Sequence, residues 1–168
     1  GGDEYPASAI GINLPNADWI RSEHGSKSVT ISNLTHAYNM SAKGNGFREE
    51  FVIDDETIKL MERFSDKTDD LHTDLHECLG HGSGRLLPGT DPDALKNYGN
   101  TIEEARADLF GLYYIADDKL LELGLLDSPE AYKAQYYGYM MNGLLTQQVR
   151  IKPDRSEERR VGKECSEP

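Results

Sequence analysis

Apolar positions recur at helical spacing through the middle of the chain and thin out towards its start, a pattern that predicts a mainly α protein with minor β. From Asp55, the positions Ile58, Met61 and Phe64 mark one helix. A second is expected to begin between Thr68 and Asp70 and to bury Leu71, Leu75 and Leu79 as one stripe. It should stop at Gly82-Ser83-Gly84. Leu86 to Tyr98, carrying Pro88, Gly89 and Pro92, reads as a connection. A further helix is predicted from about Ile102 to Leu123, with Ala105, Leu109, Leu112, Ala116 and Leu120 turned inward. The last follows Asp127-Ser128-Pro129, with Ser128 as cap and Pro129 in the first turn. Its Tyr132, Tyr136, Tyr137, Tyr139, Met140 and Met141 are read as core or interface residues.

Upstream the pattern is weaker. Residues 5 to 25 read as a loop and then a short helix: Gly11 and Pro15 punctuate, and Asn16 can cap Ala17-Asp18-Trp19-Ile20-Arg21. Val29-Thr30-Ile31 is a short strand. Residues 41 to 50 form a loop by composition, and their glycines lack the strand before and helix after that a phosphate cradle needs. His24 and His36 sit in polar surroundings and are expected to be exposed.

The chemistry concentrates in His76-Glu77-Cys78-Leu79-Gly80-His81, two imidazoles and a carboxylate on one predicted helix. These are the groups that hold a zinc ion and activate its water. The common arrangement of this kind separates its histidines by four residues, whereas here the step is five. At about 100° per residue, five steps turn the second imidazole about 140° from the first. A π-bulge would absorb the extra residue, and Gly80 eases the backbone there. His72 and His76, four apart, are an alternative metal pair, and all three histidines could also be ordinary helix residues.

Two histidines leave a catalytic zinc one protein ligand short. Thr101-Ile102-Glu103-Glu104-Ala105-Arg106-Ala107-Asp108 offers carboxylates, with Glu104 and Asp108 on one helical face. One could bind metal while its neighbours accept the other ring N–H of a ligating histidine, work that suits Glu103 and Asp108. Taken alone, Thr101-x-x-Glu104 is better read as a capping box.

HECLGH followed by EEARAD resembles the paired signatures of the M49 metallopeptidases, the dipeptidyl peptidase III family, whose usual forms are HELLGH and EECRAE. Two further segments resemble the family: His81-Gly82-Ser83-Gly84, and Gly11-Ile12-Asn13-Leu14-Pro15-Asn16, which is similar to its substrate-binding loop. The resemblance implies zinc, one ion per chain, on His76, His81 and Glu104, with Glu77 as general base and Glu103 and Asp108 behind the histidines. It also implies that Gly11, Asn13 and Asn16 meet the peptide backbone and its free N-terminus, where the residues alone suggest simple turn chemistry. The implied architecture is the helical zinc-binding part of one lobe of a two-lobed enzyme, truncated, with residues 1–154 as a partial catalytic domain. The implied reaction is release of dipeptides from the N-terminus of oligopeptides. The other lobe and downstream histidine and arginine groups would be missing, so the chain alone should be inactive. The departures are Cys78, Ala105 and Asp108, and only Asp108 touches chemistry: one methylene shorter than Glu, it is expected to hold its histidine through a longer bond or a water.

Length, composition and charge narrow the setting. With 168 residues, 37% hydrophobic content and a mean hydropathy of −0.66, one soluble domain is expected. No apolar run is long enough to span a membrane, and no signal peptide opens the chain. The chain starts on Gly1 rather than Met, as a piece of a longer protein would. A net charge of −12 argues against a nucleic-acid partner and would suit a site receiving cationic peptide N-termini. From Arg155 onward the sequence resembles translated sequencing adapter, so residues 155–168 are read as a non-native tail. Setting Cys165 aside with that tail leaves Cys78 alone, consistent with a reducing, cytoplasmic setting. Cys78 itself is expected to pack as a small hydrophobe. The readings from other classes are a non-catalytic zinc-binding or peptide-binding helical module, which would have no use for Glu77 as a base, and a metal-free scaffold.

Overall fold

A computed structural model describes residues 10–15 and 18–150, and within them the fold is mostly helical with one two-stranded sheet. Asn16, its expected cap and the tail at 155–168 lie outside the described residues. β1 (Gly11–Leu14) and β2 (Lys27–Thr30) pair antiparallel, with Gly11 opposite Thr30 and Leu14 opposite Lys27. α1 (Asp18–His24) lies between them in the chain. The stretch read as loop at Gly11 is therefore a strand, and the strand expected at 29–31 begins two residues earlier. β1 is inverted relative to an ordinary half-buried strand: Gly11 and Asn13 face inward, while Ile12 and Leu14 are exposed. Its inner face is built to approach something polar.

α2 (Ser32–Ala42) and α3 (Phe47–Phe51) were not signalled by the apolar pattern, and neither contains a buried residue that could have signalled them. α3 also takes the last residues of the segment read as loop at 41–50. α4 (Asp55–Leu75) is one helix of 21 residues where the pattern suggested two. Asp54 opens it by accepting the Thr57 backbone N–H at 2.7 Å. Nothing breaks it near Thr68: that buried hydroxyl donates back to the Phe64 carbonyl at 3.0 Å, so its polar atom is satisfied within the helix. α4 then runs straight into a π-helical turn, His76–His81.

A 3-10 turn, Lys96–Tyr98, leads into α5 (Gly99–Tyr114). The helix predicted to reach Leu123 is interrupted at residues 115–118 and resumes as α6 (Lys119–Glu122), where Asp117 accepts the Lys119 backbone N–H at 2.8 Å. α7 (Tyr132–Met141) has Ala131 at its cap position and no side-chain cap, so the expected Ser128 cap and Pro129 first turn lie ahead of the helix. It continues into a second π-helical turn, Asn142–Gln147, and a 3-10 turn, Gln148–Arg150. α4 is the central helix, packed on both α5 and α7. The core joins Phe64 and Leu71 to Ile115, Leu120, Leu126, Ala131 and Ala134, with Tyr132 and Tyr136 packed against it. Burying a side chain of Leu or Phe size contributes about 1.5–3 kcal/mol, so this cluster, rather than the exposed α2 and α3, holds the helices in place.

α5 turns a different face inward from the one its leucines suggest. Ala107, Gly111 and Ile115 are buried; Ala105 and Ala116 are exposed, Leu112 is half-buried and Leu109 is 66% exposed. The reason is close approach. A Cβ on Gly80 would lie 2.7 Å from Ala107 Cα, and one on Gly111 would lie 3.0 Å from the His72 ring. Only small residues allow the helices to come so near. Among the described residues, no helix is long and apolar enough to cross a membrane.

Candidate metal centre

The π-helical turn absorbs the fifth step between His76 and His81, as the spacing requires. The Gly82 N–H donates to the Glu77 carbonyl, five residues back, at 3.1 Å. Both imidazoles therefore reach the same side, with their Nε2 atoms 3.0 Å apart. The same insertion shifts the buried stripe. Leu79, expected inside, is 38% exposed, Cys78 is exposed rather than packed, and Gly80 takes the buried position against α5.

α5 supplies the acids. Glu104 faces both histidines, Oε2 at 3.4 Å from His76 Nε2 and Oε1 at 3.5 Å from His81 Nε2. Behind them, Asp108 Oδ1 is 2.8 Å from His76 Nδ1, and Glu103 Oε1 is 3.1 Å from His81 Nδ1. The Asp108 contact is direct, with neither the longer bond nor the water that its shorter side chain suggested. Ala107 and Gly111 bring α5 close enough to make up the missing methylene. Thr101 lies buried within the first turn of α5, which has no side-chain cap, so the capping-box reading of Thr101 and Glu104 does not hold.

The donor set can be tested against zinc. Bonds of about 2.0–2.1 Å at tetrahedral angles separate donor atoms by about 3.4 Å, close to the 3.0 Å between the two imidazole nitrogens and to the 3.4 and 3.5 Å from each to one of the two Glu104 oxygens. His72, His76 and Asp108 form a second cluster of possible ligands. There Asp108 is already engaged: Oδ1 by His76 Nδ1, and Oδ2 by the Tyr139 hydroxyl, which donates at 2.6 Å. The first cluster is the better seat.

Without an ion the cluster is a network of ion pairs. Burial lowers the His76 pKa, but hydrogen bonds to Asp108 and Glu104 outweigh it and lift it to about 9. Glu103 and Glu104 lift His81 to about 9 against a smaller effect of burial. Burial opposes ionisation of Glu103, yet His81 and Arg106 bring it down to about 2; the two histidines bring Glu104 to about 2. Asp108 is held well below the ordinary carboxylate range by His72, His76 and Tyr139 despite its burial. A divalent cation could replace the two imidazole protons and face the same anions.

Glu77 differs from these acids. It is 6% exposed, its Oε2 has no hydrogen-bond partner, and burial pushes its pKa up. The inner face of β1 closes over it: a Cβ on Gly11 would overlap Glu77 Oε1, and the Asn13 amide donates to the Glu77 carbonyl at 3.1 Å and to Ser28 Oγ at 2.8 Å. Asn13 Oδ1 is buried with no partner.

Three supporting residues were not read from the sequence as part of this centre. Arg106 donates to both Glu103 oxygens, at 2.6 and 2.9 Å, and to the carbonyls of Gly80 and Ser83 at 2.8 and 3.2 Å, fastening α5 to the end of the π turn. Its i,i+3 spacing from Glu103 was a legible signal. Arg21 donates to the His81 carbonyl at 3.2 Å, and Tyr139 reaches Asp108 from α7; nothing local announced either. His24 and His36 are exposed, as expected.

Comparison with known proteins gives a consistent result. The sequence model of Peptidase family M49 matches residues 5–99, which include HECLGH and stop short of Glu104. The chain is 28% identical over 167 residues to Dipeptidyl peptidase 3 of Dictyostelium discoideum, covering 78% of this chain and 23% of that protein. It is 34% identical over 88 residues to Dipeptidyl peptidase 3 of Nematostella vectensis (52% and 11%) and 27% identical over 161 residues to that of Homo sapiens (77% and 21%). The chain thus spans at most about a quarter of the length of these curated relatives.

Proposed function

Because this chain belongs to peptidase family M49, we propose that it carries the zinc centre of a metallopeptidase that releases dipeptides from the N-terminus of oligopeptides. The observation that carries this reading is the convergence of His76 Nε2, His81 Nε2 and the Glu104 carboxylate at separations of 3.0, 3.4 and 3.5 Å, with Glu77 next in sequence and its Oε2 buried without a partner. The name shared by the relatives, Dipeptidyl peptidase 3, supports the dipeptide product. His76, His81 and Glu104 would hold the ion, and the ion when bound supplies Lewis-acid polarisation of a carbonyl and lowers the pKa of a water to about 7.

The chain's own residues do the rest. Asp108 and Glu103 keep the proton of each imidazole on Nδ1 and leave Nε2 free to ligate. Glu77, its pKa raised by burial, takes the proton of the attacking water and delivers it to the leaving amine. Asn13 Oδ1 is a buried acceptor without a partner and Gly11 keeps the β1 backbone close to Glu77; by the family resemblance both meet the peptide backbone. Asn16 joins them in this role by the family resemblance. The chain by itself would turn over poorly, because the cleft's other wall and further donors to the developing oxyanion would come from the rest of a longer protein, and one such donor is worth about 10²–10³ in rate.

Substitution in the longer protein that carries this chain tests the reading. Glu77→Ala should retain near-stoichiometric zinc and lose about 10²–10⁴ in rate, while His76→Ala, His81→Ala and Glu104→Ala should each strip the metal. Zinc lost together with activity in Glu77→Ala would refute its role as base. His72→Ala should keep zinc; if it strips the metal and His81→Ala does not, the second cluster is the true site.

A further inference from the structure

We propose that Tyr139 is a positioning residue for this centre: its hydroxyl, donating to Asp108 Oδ2, fixes the carboxylate whose other oxygen orients His76. The inference rests on the zinc reading above. An aspartate carboxylate held by one oxygen can still turn about its Cβ–Cγ bond, a torsion with a broad profile. The contact from Oδ1 to His76 Nδ1 restrains that rotation at one point, and a second anchor on Oδ2 narrows it further. At 2.6 Å the Tyr139 contact is a short, charge-assisted hydrogen bond. The ring is 37% exposed and rests on one side against His72, with centroids 5.6 Å apart, an imidazole 8% exposed and packed over Gly111. His72 thus acts as a spacer between α7 and Asp108. A phenol adds no charge, so Asp108 keeps its full negative charge for His76.

The experiment measures zinc affinity by chelator competition, and the 15N imidazole shifts of the zinc-loaded protein, for Tyr139→Phe in the longer protein. Tyr136→Phe is the control, because its hydroxyl also ties α7 to α5, donating to the Leu112 carbonyl at 2.8 Å, without touching a ligand or its supporting carboxylate. Tyr139→Phe should weaken zinc about tenfold, the lower end of the usual cost of losing a residue that supports a ligand. It should also move the His76 resonances and leave those of His81 in place. Tyr136→Phe should do neither, and Tyr139→Phe should add nothing in an Asp108→Ala background, since it acts through that carboxylate. Unchanged zinc affinity, an equal loss in Tyr136→Phe, or a full additional loss on top of Asp108→Ala would each overturn the proposal while the zinc reading stands. Absence of zinc from the unsubstituted protein would overturn the zinc reading, and this proposal with it.

Discussion

The two histidines of the centre carry the same chemistry on supports built in different ways. On the His81 side, Glu103 and its clamp Arg106 are three residues apart on α5, and Arg106 brings a permanent charge and donates to five acceptor atoms. On the His76 side, Asp108 comes from α5, Tyr139 from α7 and the spacer His72 from α4. Both imidazoles nonetheless reach a pKa of about 9 in the ion-free arrangement. The difference lies in what stands behind each carboxylate: a permanent cation three residues away for Glu103, and a neutral phenol from another helix for Asp108. Both depend on α5 lying close to the π-helical turn, and the second depends on α7 as well.

Substitutions can separate the two sides. Gly80→Ala should have the largest effect because it strikes both at once: the new Cβ would meet Ala107 Cα and Cβ at 2.7 Å, and α5 would have to retreat with all of its carboxylates. Overpacking of this kind costs about 1–3 kcal/mol, so a lower melting temperature and loss of stoichiometric zinc are expected together. A variant with wild-type melting and zinc content would show that the approach of α5 does not set the site.

Next comes Glu103→Ala, which should weaken zinc about 10–100-fold and also destabilise the metal-free protein, because Arg106 is left without its carboxylate. Asp108→Ala should weaken zinc within the same range of about 10–100-fold with a smaller loss of melting temperature, since the partners it leaves include no permanent cation. Equal losses of melting temperature in the two variants would erase the proposed distinction between a charged and a neutral support.

The smallest effect is that of pH on the metal-free protein. His76 and His81 have folded values of about 9 against an ordinary 6.5, so their contribution is fully present below pH 6.5 and is lost as pH rises through about 9. Glu103 and Glu104 have folded values of about 2 against 4.5, so theirs is present above pH 4.5 and is lost as pH falls through about 2. Melting temperature in the presence of a chelator should therefore be highest between pH 4.5 and 6.5 and decline towards pH 9. A rise over the alkaline stretch would contradict the ion-pair network.

What the sequence determined by itself was whatever depends on neighbours a few residues apart. For His76 and His81 to share a side, their five-residue step, with Gly80 inside it, pointed to a π-bulge, and the chain has one. The i,i+4 spacing of Glu104 and Asp108 placed both on one face of α5, and that face meets the histidines. Distances set by packing were not legible. Counting leucines pointed to the wrong face of α5, because close approach of two backbones selects Ala107 and Gly111, which carry almost no hydrophobic signal. The stripe through Leu79 failed because a π-bulge resets helical phase for every residue inside it. β1 could not be read as a strand of the site, since its buried positions are Gly11 and Asn13, and the bond from Asn13 to the Glu77 carbonyl spans 64 residues. Tyr139 is the extreme case: its hydrogen bond to Asp108 exists only because α4 holds α5 and α7 at a fixed separation, and no local pattern encodes that distance.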